Sequence, residues 1–106
     1  MEFSEISKRA LEVRAKYSEL EKKKYGREWS REEIFQGFVG DVGSLAKSVM
    51  VEAKIRQTKS DDNDISHHLS DCLWSIMVLA DKYSVDLEKN FIETMNKLEA
   101  KIAESE

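Results

Sequence analysis

Proline is absent from the 106 residues, and glycine occurs only four times. A chain so poor in helix breakers, and rich in Glu, Lys, Leu and Ala, is suited to long helices rather than strands and tight turns. Cys72 is the only cysteine, so no intrachain disulfide can form, and a lone thiol is compatible with a reducing cytoplasm. A basic excess is missing as well. The net charge is −4 and the 17 Lys and Arg are interleaved with acids, which excludes an electrostatic footprint for nucleic acid. No run approaches the roughly 20 apolar residues of a membrane span. Residues 1–10 carry Glu2 and Glu5 and no apolar run, so they do not read as a signal peptide. The expectation is a cytoplasmic protein with neither nucleic-acid nor membrane partners.

What is present is enough apolar surface for a modest core. Hydrophobic residues make up 41% of the chain, too many for a disordered segment, and the length corresponds to one domain over residues 1–106. Four helical segments follow from apolar spacing. The first runs from about Phe3 to Tyr25, with Phe3, Ile6, Ala10, Val13, Tyr17 and Leu20 on one stripe and Gly26 as its stop. Ser30-Arg31-Glu32-Glu33 is a capping box that opens the second. Its stripe is Phe35, Phe38, Val42, Leu45, Ala46, Val49 and Met50, and it is expected to continue past Glu52. A polar stretch from Thr58 to Asp64 follows, with Asp64 or Asp62 as the next cap. The third segment carries Ile65, Leu69, Cys72, Leu73, Ile76, Leu79, Ala80 and Tyr83 on one side and Trp74, Met77 and Val78 on another. A helix apolar nearly all round is buried on both sides, and in so small a domain a second subunit supplies the extra cover most easily. After a turn at Ser84-Val85, Asp86 caps a last helix with Leu87, Phe91, Met95, Leu98 and Ile102 in line. The fold class is therefore all-α, a four-helix bundle completed by oligomerisation.

Chemistry is expected where the second and third helices meet. Gly37, Gly40 and Gly43 each weaken the second helix by about 1 kcal/mol relative to alanine, so something must approach that backbone. A neighbouring helix is the structural reading, and a ligand or loop the functional one. Asp41 lies on the flank of the apolar stripe. On the third helix His68 and Asp71, three apart, share a flank that Ser75 continues. Two antiparallel helices would bring these groups together as donors for a divalent metal. The plainer reading is a set of solvated polar residues at a helix edge.

Two segments sharpen that choice: Phe38-Val39-Gly40-Asp41-Val42-Gly43-Ser44-Leu45-Ala46-Lys47 and His67-His68-Leu69-Ser70-Asp71-Cys72-Leu73-Trp74-Ser75. Together with Leu79-Ala80-Asp81-Lys82-Tyr83-Ser84-Val85-Asp86-Leu87-Glu88, they resemble the signature helices of the MazG-like nucleotide pyrophosphohydrolases over roughly Ile34 to Ile102. The family pattern is Glu-Glu-x-x-Glu, a spacer, then Glu-x-x-Asp. The resemblance implies a homodimer or homotetramer of four-helix chains. It also implies magnesium, with manganese as an alternative, holding a nucleoside triphosphate that water cleaves to monophosphate and pyrophosphate. Residue by residue, Asp41 and Asp71 fit metal-ligand positions. Ser44 and His68 stand where the family has acids, so two of the four expected carboxylates are missing. His68 is then expected as a substitute metal ligand or a catalytic proton carrier, Trp74 as part of a base pocket or as core, and Glu52 as a further acid on the Asp41 flank. The alternative function is a catalytically inactive relative that persists as an oligomeric binding or scaffold module.

Overall fold

The second, third and fourth helices begin where a side chain caps the first amides, and the first three end where the backbone turns left-handed. The computed structural model describes residues 1–55 and 64–105, and the expected polar connector lies, apart from Asp64, outside them. Helix α1 spans Phe3–Tyr25, α2 Arg31–Glu52, α3 Ile65–Lys82 and α4 Leu87–Ser105, and the described residues contain no strand. Gly26 closes α1 at φ 81°, a conformation that favours glycine. The capping box forms as expected: the Glu33 amide donates to Ser30 Oγ at 3.2 Å, and the Ser30 amide donates to Glu33 Oε1 at 3.0 Å. Asp64 Oδ1 accepts from the amides of Ser66 and His67 at the start of α3. Asp86 Oδ1 accepts from the Lys89 amide at 3.1 Å at the start of α4.

Two ends differ from the sequence expectation or refine it. α2 stops at Glu52 instead of running on. Lys54 takes φ 60° there, its amide donates to Val51 O, and the Ile55 amide donates to Met50 O at 2.9 Å. α3 ends the same way, with Ser84 at φ 56°, its amide on Asp81 O and the Val85 amide on Ala80 O at 2.8 Å. Both are Schellman closures made without glycine.

The core is centred on α3, which packs chiefly on α2 and more lightly on α1. α2 and α3 run antiparallel. The Arg31 guanidinium at the start of α2 sits 4.5 Å from the Tyr83 ring at the end of α3, and Ser75 on α3 reaches Asp41 on α2. The face that α2 turns inward is not the expected apolar stripe. Phe35, Val42, Val49 and Met50 are exposed, whereas Ile34 and Ser48 are buried, Ser48 at 2% exposure. Small residues on that face let two helices approach closely. On α3, Cys72, Ser75, Met77 and Val78 are buried, while Leu69, Leu73 and Ile76 stay exposed. α4 buries no residue and makes no extensive contact with another helix among the described residues. The radius of gyration is 17.1 Å. A compact domain of this length would have about 13 Å.

Candidate ligand and metal site

A cavity of about 610 Å³ opens between α1, α2, α3 and the connector of residues 26–30. Its volume lies within the range of ordinary small-molecule sites, roughly 300–1,000 Å³. Asp41 lines it from α2, and His67, Asp71 and Ser75 line it from α3. Tyr17, Tyr25, Trp29 and Trp74 supply aromatic walls, and Arg14 and Lys24 bring cationic groups from α1.

The antiparallel pairing of α2 and α3 sets the acidic end. Asp41 Oδ2 accepts a hydrogen bond from the Ser75 hydroxyl at 3.3 Å. One turn back along α3, Asp71 Oδ2 lies 3.2 Å from His67 Nε2, an i,i+4 pair. Cys72 is buried beside them. Its thiol is pushed above its ordinary range by burial first, and then by the negative charges of Asp41 and Asp71. The two carboxylates thus act on one thiol, which stays protonated.

The aromatic end is held by a buried polar knot. Arg14 is paired with Glu21, two turns on along α1, and also reaches the hydroxyl of Ser18. Glu21 Oε1 accepts in addition from the Trp29 amide at 2.9 Å, which ties the connector back onto α1. The Trp29 ring lies 6.0 Å from the Arg14 guanidinium and over Gly37. Trp74 is fixed differently: its indole N–H donates to Ala10 O at 2.9 Å, and its ring centroid is 5.7 Å from that of Tyr17. Trp74 therefore joins α3 to α1 and lines the cavity at the same time.

Of the residues expected at the site, Asp41, Asp71 and Trp74 line one cavity. His68 does not. It is buried at 6% exposure, outside the cavity lining, and the histidine that faces the cavity is its neighbour His67. Ser44 is half-buried and also outside the lining, and Glu52 is exposed at the last turn of α2. Among the glycines, Gly37 is approached by a loop residue, while Gly40 and Gly43 face open space. The sequence reading missed Arg14, Glu21, Trp29 and His67. The one available signal was Arg14, Ser18 and Glu21 recurring every three or four residues along one face of α1. Among the described residues, no three His, Cys, Asp or Glu side chains gather closely enough to hold a metal ion by themselves. Of the three carboxylates that line the cavity, Glu21 is committed to Arg14, and Asp41 and Asp71 offer oxygen atoms from facing helices, the donor type that magnesium prefers.

Compared with known proteins, the chain matches no family model, no curated protein sequence and no solved structure.

Proposed function

We propose that this chain is a cytoplasmic MazG-like nucleotide pyrophosphohydrolase, which cleaves a nucleoside triphosphate to monophosphate and pyrophosphate. The observation that carries the reading is the cavity itself: carboxylates from facing helices and a cluster of aromatic rings line one space. Asp41 and Asp71 would hold one divalent ion, magnesium or manganese. When bound, that ion supplies charge neutralisation along the phosphates and activation of water. Ser75 keeps Asp41 oriented, and the Tyr17–Trp74 pair offers flat apolar surface to a base. Lys24 supplies positive charge on the α1 side, where the Arg14 guanidinium is already paired with Glu21. The histidine available to the reaction in this reading is His67.

The proposal includes a homodimer or homotetramer. It is supported by the exposed apolar residues of α2, α3 and α4, notably Phe35, Leu69, Leu73, Phe91 and Ile102. Light scattering should return a multiple of 12.3 kDa.

The activity test is a pyrophosphate-release screen over common and damaged nucleoside triphosphates, with magnesium and manganese in parallel. Turnover that disappears in Asp41→Asn and Asp71→Asn supports the reading, and a folded protein that releases nothing from any of them overturns it. A second reading, an inactive oligomeric binding or scaffold module, is favoured by the absence of a three-donor cluster among the described residues. It predicts nucleotide binding or self-association without pyrophosphate release.

A further inference from the structure

The donors at the acidic end do not make the all-carboxylate cluster expected for hard magnesium chemistry. The structure assigns a different one: we propose that His67 and Asp71 form a chelating pair for a single borderline transition ion, of the class of cobalt, nickel, zinc or manganese. The inference deepens the metal-dependent reading of the same cavity and rests on it.

Three observations meet here. The first is the bite. His67 Nε2 and Asp71 Oδ2 are 3.2 Å apart. Two donors at about 2.1 Å from one ion are separated by about 3.0 Å at a right angle and about 3.4 Å at a tetrahedral angle. The observed spacing falls between these limits, so the two donors already stand at a chelating separation. The second is the framework. Positions four apart on a helix present donors to the same side, which is how paired histidines of helical metal sites chelate. Asp64 caps α3 just ahead, accepting from the His67 amide itself, so the turn that carries the imidazole is fixed. The third is access. The His67 side chain is 61% exposed and that of Asp71 is 32% exposed, and both line the cavity, so water or phosphate oxygens can complete the coordination sphere.

The donor types decide the metal class. An imidazole nitrogen beside a carboxylate oxygen favours later first-row ions over magnesium, which prefers oxygen donors only. With an ion bound, the Nε2 lone pair of His67 would face it and Asp71 would contribute its charge. Asp41, on the facing helix, lines the same cavity and adds negative charge beside the chelate.

The test is a titration of chelator-treated protein with Co²⁺, read by its visible absorption, and with Mg²⁺, read by calorimetry, both without nucleotide. One Co²⁺ per chain is expected. His67→Ala and Asp71→Asn should each weaken Co²⁺ by at least about tenfold, and His67→Ala should change Mg²⁺ binding by less than about twofold. Both replaced side chains reach solvent, so the variants are expected to keep the wild-type far-ultraviolet dichroism. His68→Ala serves as the contrast and should retain Co²⁺ wherever it folds. Absence of Co²⁺ binding to the wild type, or undiminished binding to His67→Ala, overturns the proposal. The pyrophosphate-release assay on the wild type with Mg²⁺ keeps the two ideas separate. Co²⁺ binding by the wild type that His67→Ala loses supports the chelate, whatever the release assay returns. Release by a wild type that binds no Co²⁺ removes the chelate and leaves the hydrolase reading standing.

Discussion

The ring of Trp29 occupies the space that a side chain at Gly37 would need: a Cβ placed on Gly37 would lie 2.9 Å from Trp29 Cζ3. Gly40 and Gly43, on the same helix, meet nothing within 4 Å. Alanine at 40 or 43 should therefore stabilise the protein by about 1 kcal/mol each, the ordinary helix gain over glycine. Alanine at 37 must also displace a ring whose backbone is tied to Glu21, so it should trail the other two by about 1 kcal/mol or more and shift the tryptophan emission. Urea unfolding of the three variants, followed by dichroism and fluorescence, checks the order. Equal gains at all three positions would show that the ring is not held there. A loss at 40 or 43 would report a second chain packed on that face.

The Arg14–Glu21 pair is buried on both sides, with side-chain exposures of 10% and 11%. Removing one partner of such a pair leaves a charge without its counterpart and typically costs about 3–5 kcal/mol. Arg14→Met and Glu21→Leu should each lose that much. The double variant should lose clearly less than the sum, because the stranded charge is gone. A double-mutant cycle from denaturation midpoints gives the coupling. Additive losses would mean that the two side chains do not act as a pair.

Glu33 carries the clearest acid dependence. Its carboxyl is lowered from 4.5 to about 2, first by the hydrogen bonds from Arg27 and then by the Ser30 amide. A carboxylate held below its unfolded value contributes stability that is complete above that unfolded value and is lost as the pH falls through the folded one. The melting temperature should accordingly drop more steeply between pH 4.5 and about 2 in the wild type than in Glu33→Gln. Parallel curves for the two proteins would remove Glu33 as the cause.

Ser84 bears the left-handed residue of the α3 closure at φ 56°. A side chain there costs energy that glycine does not pay. Ser84→Gly should raise stability by about 0.5–1 kcal/mol, or a few degrees in melting temperature for a chain of this size. A thermal scan beside the wild type decides it, and a decrease would mean that the serine side chain contributes more than its backbone strain costs.

Most helix limits, though not the end of α2, were readable because their signals are local. Ser30 with Glu33, Asp64, Asp86 and Gly26 act within three or four residues of themselves, so spacing alone identifies them. The inward face of α2 was not readable. Phe35, Val42 and Val49 make the stronger apolar stripe, yet the closer approach to α3 is made through Ile34, Asp41 and Ser48, and only the partner helix can reveal that. The site follows the same division. Asp41 and Asp71 sit on helices whose antiparallel pairing was expected, and they reach one cavity. The choice between His67 and His68 depends on a rotation of about 100° about the α3 axis, which no local pattern determines. Arg14 and Glu21 were hidden for another reason: a charge is recognisable as interior only once its partner and the wall behind it are in place.

α4 has a consequence for how the chain behaves on dilution. Its 19 residues bury no side chain, and Phe91, Leu98 and Ile102 stand in the open. A free helix of that length is only marginally stable in water. In the homo-oligomer proposed above, the last fifth or so of the chain would owe its secondary structure to mass action. Helix content would become a property of protein concentration, and the C-terminal amides would exchange with solvent faster as the sample is diluted, while those of α3 keep a rate set by the core.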